Sequence, residues 1–189
     1  MIIYIHGFAG SGLSSKAQEF KKYFSKTQSF ISPSLSNIPR LALQTLEDII
    51  LLCKDKEEIK LIGSSLGGFY AIYLANKYNL KALLINPSTK PFDSMQKRVL
   101  GNAKSFYDNS GFEVTKEHCN SLKNFDIKEI KNQSKFLLCV QKGDEILNYK
   151  LALEKLPNAN HIIEEKGSHA FSNIKDHFED IESFFLSKN

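Results

Sequence analysis

The strongest chemical signal in the chain is the pentapeptide Gly63-Ser64-Ser65-Leu66-Gly67. It matches the pattern G-x-S-x-G, and it lies between an apolar run, Ile59-Lys60-Leu61-Ile62, and a stretch of helical periodicity through Tyr70, Ala71, Leu74 and Tyr78. That context defines a nucleophile elbow, a strand-to-helix turn so tight that side chains beside the serine collide. Ser65 alone has glycine two positions away on both sides, so it is the candidate nucleophile, and Ser64 is read as a local hydrogen-bonding neighbour. The amide of Leu66 sits where the helix begins, and a helix N-terminus can stabilise an oxyanion. The plainer alternative is a glycine-rich turn with an idle serine. The strand before the motif and the helix after it favour the chemical reading.

A serine hydroxyl is a poor nucleophile without a base beside it. Elbows of this kind take their partners in the chain order serine, acid, histidine. Asp144, in Gly143-Asp144-Glu145, follows an apolar run at 135–141, and His169, in Gly167-Ser168-His169, follows a strand-like run at 160–164. Both loops belong at the carboxyl edge of the strands, where open α/β sheets bind ligands. His169 is then the general base and Asp144 the acid that fixes its tautomer. Glu145 is the alternative acid, because one residue of register in a loop is not set by sequence. His161 begins its strand, at the wrong edge, and His118 and His177 fall in expected helices as solvated side chains. The loop after the first strand, His6-Gly7-Phe8, should supply the second oxyanion donor. The amide of Phe8 is the first choice and Gly7 or Ala9 the next, with His6 packed beneath the elbow. Gly10-Ser11-Gly12 lacks the lysine and the spacing of a phosphate loop, so no nucleotide is expected.

Elements that position these residues follow from periodicity. Strands are expected at 1–5, 29–32, 59–63, 81–86, 135–141 and 160–164, alternating with helices that start near Ser14 or Ser15, at Pro39 and after the elbow. The closing helix is expected at 171–186, with Phe171, Ile174, Phe178, Ile181 and Phe185 on one stripe. Alternating strands and helices imply a parallel sheet, whose buried strands read as near-continuous apolar runs. The fold class is therefore α/β: a three-layer α/β/α sandwich on a mainly parallel six-stranded sheet. Residues 88–134 hold no clear strand and read as two or three short helices forming a small cap on one domain, 1–189. Its aromatics Phe92, Phe106, Tyr107 and Phe112 suit an apolar acyl group.

Composition excludes other classes. At 189 residues the chain is long enough for one sizeable core and too short for two ordinary domains. The three cysteines are far apart and unpaired in spacing, which argues against a disulfide framework or a zinc site. The net charge of +4 is mild, and Arg, the residue suited to phosphate and base recognition, occurs only at positions 40 and 98. Nucleic acid is not an expected partner. No apolar run reaches the ~20 residues of a membrane span. The opening Met1-Ile2-Ile3-Tyr4-Ile5 is too short for a signal-peptide core, so a cytoplasmic location is expected. The oligomeric state is open.

Several motifs together resemble the YqiA-like bacterial esterases: Ile-Tyr-Ile-His-Gly-Phe at the start, the elbow Ile-Gly-Ser-Ser-Leu-Gly-Gly-Phe-Tyr-Ala, Leu-Ile-Asn-Pro-Ser, Gln-Lys-Gly-Asp-Glu-Ile-Leu-Asn-Tyr and Gly-Ser-His-Ala-Phe. The likeness runs from Ile3 to Phe184. It implies a minimal α/β-hydrolase fold, with six parallel strands in the order 2-1-3-4-5-6, and Ser65, Asp144 and His169 as a triad. It also implies hydrolysis of carboxylic esters or thioesters with no metal or organic cofactor. Ser88-Thr89-Lys90 and Asn148 depart from the expected pattern, which bears on substrate preference rather than the triad. Two rival readings remain. One is a non-catalytic scaffold of the same fold used for binding; the other is cleavage of amides or C–C bonds by the same serine.

Overall fold

The computed structural model describes residues 1–187. The chain runs β1 (Ile2–Ile5), α1 (Ser15–Phe24), β2 (Phe30–Ile31), α2 (Pro39–Cys53), β3 (Lys60–Ser64), α3 (Leu66–Tyr78), β4 (Lys81–Ile85), α4 (Pro91–Arg98), β5 (Gly101–Lys104), β6 (Gly111–Val114), α5 (Lys116–Ser121), β7 (Phe136–Gln141), α6 (Tyr149–Lys155), β8 (Asn160–Glu164) and α7 (Phe178–Leu186). Ser14 caps α1 by accepting the Ala17 amide, and Pro39 sits in the first turn of α2, where no amide is needed.

The sheet has the order β2-β1-β3-β4-β7-β8, and its pairs are parallel. This is the expected 2-1-3-4-5-6 arrangement. Its register aligns the strand ends: Ile5 lies opposite Gly63, Ser64 opposite Ile85, and Gln141 opposite Glu164. The loops leaving β1, β3, β4, β7 and β8 therefore emerge along one edge.

Alternate residues of each strand face opposite layers. Ile3, Ile5, Leu61, Leu84 and Leu138 pack with Leu43, Leu46, Ile50 and Leu74 of α2 and α3. Ile2, Tyr4, Ile62, Leu83 and Cys139 face the other way, onto Phe20 and Phe24 of α1 and Phe178, Ile181 and Phe185 of α7. Phe20 and Phe178 meet with ring centroids 4.9 Å apart. Full burial of each such ring contributes about 1.5–3 kcal/mol, so phenylalanine takes the place tryptophan often fills.

Two segments depart from expectation. Residues 88–134 contain the helices α4 and α5, but also an antiparallel hairpin that pairs Gly101 with Val114 and Lys104 with Gly111. The strands are short and carry Gly, Asn and Lys, so the alternation of Phe112 and Val114 is too brief to announce them. Val114 is buried in the core with Ala103 and Phe112 packed against it, and turn chemistry closes the hairpin. Asp108 Oδ1 accepts the Ser110 amide and hydroxyl, Ser105 Oγ accepts the Tyr107 amide, and Asn109 takes a left-handed φ of 60°. The closing helix starts later than residue 171. Phe171 is fully buried with φ 47°, and a 3₁₀ turn at Ile174–His177 precedes α7. The chain must bend there to carry His169 to the sheet edge, and a continuous helix would not allow it.

The elbow is built by close approach. A Cβ on Gly67 would overlap the carbonyl oxygen of Ile5, and one on Gly63 would overlap that of Gly67. Gly67→Ala is expected to destabilise the fold by about 3 kcal/mol. On a thermal melt this lowers Tm by roughly 6–12 °C. An unchanged Tm would mean that α3 can lift from β1 without penalty.

Candidate active site

Ser65 has φ 55° and ψ −118°. Such a conformation costs a non-glycine residue roughly 1–3 kcal/mol and persists only where its surroundings enforce it. Here the end of β4 enforces it. The Ser65 amide donates to the Ile85 carbonyl at 3.0 Å, and the Ser65 carbonyl accepts the amides of Gly68 and Ser88, both at 2.9 Å.

His169 reaches the serine from the loop after β8. Its Nε2 lies 3.0 Å from Ser65 Oγ, and its Nδ1 lies 2.8 Å from Asp144 Oδ2. An ionised carboxylate only accepts, so Nδ1 carries the proton and the Nε2 lone pair faces the hydroxyl. The other oxygen of Asp144, Oδ1, accepts the amides of Ile146 and Leu147, both at 2.8 Å. Burial pushes the Asp144 carboxyl up, but the hydrogen bonds from His169, Leu147 and Ile146 outweigh it, and its pKa lies below the ordinary value. Glu145 contacts His169 through the backbone: its Oε2 accepts the His169 amide at 3.0 Å, and that bond lowers its pKa. Of the two candidate acids, the structure puts Asp144 on the ring and Glu145 on the loop. The two loops meet closely, since a Cβ on Gly143 would overlap the Gly167 carbonyl.

Leu66 is the first residue of α3, so its amide belongs to the helix turn that lacks internal acceptors. Phe8 lies in a loop that turns at Ala9, φ 54°. His6 fastens that loop. Its Nε2 accepts the Leu35 amide at 2.9 Å, so Nδ1 carries the proton and donates to the Gly7 carbonyl at 2.8 Å. Burial lowers the His6 pKa, which suits a neutral structural tie rather than a base. The hairpin buttresses the same loop: the Phe106 amide donates to the Ala9 carbonyl at 2.8 Å, and Phe112 packs edge-on against Phe8 at 5.6 Å.

Beside the serine is a cavity of about 100 Å³, lined by Phe8, Ser65, Leu66, Met95 and Leu147 among others. The lining combines Phe8 and aliphatic side chains with Ser65, Ser88 and Ser94, and none of the four cap aromatics singled out in the sequence lines it. Phe106 and Tyr107 are exposed at the hairpin tip, Phe92 packs under Lys123, and Phe112 stands behind Phe8.

Sequence reasoning missed the polar side chains that hold the His169 loop. Asn86 and Gln141 are both buried; Asn86 bonds the Ser168 and His169 carbonyls, and Gln141 bonds the Ser168 amide. Each is a lone polar residue ending an apolar strand, and that was the available signal. His177 is not merely solvated as expected, because its Nε2 bonds Glu164 at 2.8 Å. His161 and His118 stand away from the site, the first bonded to the Leu156 carbonyl and the second closing a capping box on α5.

A parallel sheet in this order, with a serine turn leaving β3 and helices on both faces, is the α/β-hydrolase fold. Est1E from Butyrivibrio proteoclasticus superposes with a TM-score of 0.77 at 13% identity, covering 98% of this chain and 86% of that one. Alpha/beta hydrolase domain-containing protein 10 from mouse gives 0.73 at 16% identity, covering 96% and 88%. At these identities the likeness is one of fold. The sequence profile of UPF0227, described as an uncharacterised protein family, matches residues 1–186, and the chain belongs to that family. The UPF0227 protein YcfP of Escherichia coli O9:H4 (strain HS) is 25% identical over 188 residues, 97% of this chain and 98% of that protein. The family resemblance read from the motifs is thus borne out. Among the described residues, no helix is long and apolar enough to cross a membrane.

Proposed function

We propose that the protein is a serine hydrolase that cleaves carboxylic esters or thioesters with short acyl groups through an acyl-enzyme on Ser65. The observation that carries this reading is the hydrogen-bonded line from Asp144 through His169 to Ser65, at 2.8 and 3.0 Å. His169 Nε2 takes the hydroxyl proton as Ser65 Oγ attacks the acyl carbonyl. The amides of Phe8 and Leu66 hold the oxyanion. The imidazolium then protonates the departing alkoxide or thiolate, and His169 activates a water that releases the acid. The scheme draws on no metal or organic cofactor.

The cavity supports a short acyl group. It touches Ser65, Phe8 and Leu66 but not His169. A leaving group must face its proton donor, so the cavity falls to the acyl side. Its volume of about 100 Å³ is smaller than the roughly 150 Å³ that holds a benzene, which leaves room for about three to five carbons. In this reading residues 88–134 act as a cap on a single domain, with Met95 of α4 as one wall of the acyl site.

The test is a series of p-nitrophenyl esters from acetate to dodecanoate, together with a fluorophosphonate probe read by peptide mass. The expected result is a burst of p-nitrophenol, labelling at Ser65, and kcat/KM highest for butyrate or hexanoate. Activity should fall by about tenfold or more for decanoate, which the cavity cannot enclose. A folded protein that is neither labelled nor active on any ester would remove the proposal.

A further inference from the structure

The Leu-Ile-Asn-Pro-Ser motif ends β4 with a polar residue that the scheme above leaves without a task. Asn86 is 3% exposed and takes a left-handed φ of 40°, which asparagine tolerates better than most residues. Its side chain is fully engaged. Nδ2 donates to the carbonyls of Ser168 at 3.0 Å and His169 at 3.1 Å, and Oδ1 accepts the Gln141 amide at 3.0 Å. Its own amide donates to the Cys139 carbonyl at 2.9 Å.

The neighbours on either side carry the nucleophile. Ile85 offers the carbonyl that receives the Ser65 amide, and Ser88 donates to the Ser65 carbonyl. The Gln141 carbonyl accepts the Asp144 amide at 3.1 Å. One short stretch, 85–88, therefore ties together the turn with the serine, the strand end leading to the acid, and the loop with the base. Gln141 completes the grip. Its Oε1 accepts the Ser168 amide at 2.8 Å, while its Nε2 donates to Asn173 Oδ1 at 2.7 Å and to Glu164. The Ser168 residue is thus held by its N–H from β7 and by its carbonyl from the end of β4.

We infer that Asn86 is a positioning residue that holds His169 in register with Ser65, acting through the Ser168 and His169 carbonyls. The inference rests on the reading of His169 as the general base. The loop needs such an anchor. It contains Gly167 at φ 98° and turns again at Phe171, so its own backbone preference does not set where the imidazole stands. A displacement of about 1 Å at a reacting group can cost roughly a hundredfold in rate.

Asn86→Asp separates positioning from folding. Aspartate keeps the side-chain size, tolerates the left-handed backbone and still accepts the Gln141 amide. It replaces the donor with an oxygen facing two carbonyl oxygens. Asn86→Gly keeps the backbone freedom and removes the clamp. The measurements are kcat and KM on p-nitrophenyl butyrate, circular dichroism melts, and the downfield proton resonance of His169 Nδ1 hydrogen-bonded to Asp144. For both variants the expected result is a folded protein with KM within about twofold, kcat lower by about a hundredfold, and the resonance broadened or lost. A kcat within about threefold of wild type with the resonance intact overturns the inference. So does a rate loss that only tracks loss of folded protein in both variants. If the resonance disappears in the variants while even the wild-type protein turns over no ester, the positioning role stands and the hydrolase reading falls.

Discussion

Ser65→Ala is expected to lower kcat on p-nitrophenyl butyrate by about a millionfold, to a rate set by whatever the oxyanion amides and the cavity achieve without a nucleophile. The hydroxyl is the only atom lost, and it is the atom that His169 Nε2 faces at 3.0 Å. The turn itself should survive, because its strained backbone is held by the Ser65 amide and carbonyl rather than by the side chain. Stability should change by less than about 1 kcal/mol, as for substitutions that disturb no packing. Ser64→Ala is the matched control. The Ser64 side chain bonds Tyr4 of β1, so its loss should leave turnover nearly unchanged. Assay of both variants against wild type decides the matter, and equal rates for Ser65→Ala and wild type would end the hydrolase proposal.

How much of this was legible in the sequence depends on the physical range of each signal. The elbow is local: glycine spacing around Ser65 reports a steric requirement met within a few residues, and the overlaps at Gly63 and Gly67 are its cause. The strands are legible because buried parallel strands leave near-continuous apolar runs, whereas their order came from the family resemblance and not from the runs. The meeting of Ser65, Asp144 and His169 follows once those strands are aligned, since each residue leaves the same edge. The choice between Asp144 and Glu145 is different. It depends on the Ile146 and Leu147 amides turning back onto Asp144 Oδ1, a loop geometry with no periodic trace. The hairpin of β5 and β6 escaped notice for a related reason: its apolar face is only Ala103, Phe112 and Val114, too short an alternation to stand out, and side-chain bonds close its turn. The task of Asn86 is written in bonds to Ser168 and His169, far along the chain, and single-sequence reasoning sees only an isolated polar residue before a proline.

Asp144→Asn is expected to lower kcat by about ten-thousandfold while KM changes little. The cause is the tautomer. Asp144 Oδ2 accepts the His169 Nδ1 proton, which leaves Nε2 free to receive the serine proton. An asparagine amide at that position can donate to Nδ1, which moves the ring proton to Nε2 and turns the base into a donor towards Ser65. Glu145→Gln is the discriminating partner. A glutamine oxygen can still accept the His169 amide, so the loss should stay below about fivefold, the worth of one charge-assisted bond made neutral. The reverse ranking would make Glu145 the acid and the Asp144 contact a structural one. The same variants predict a pH effect on stability. The Asp144 pKa is held below its ordinary value, so its network stabilises the fold fully above the unfolded carboxylate range and loses that contribution as pH falls through the folded value. Urea midpoints measured at neutral pH and in acid should therefore converge for wild type and Asp144→Asn as the pH drops, because protonation then removes in the wild-type protein the same charge that the substitution removes at every pH.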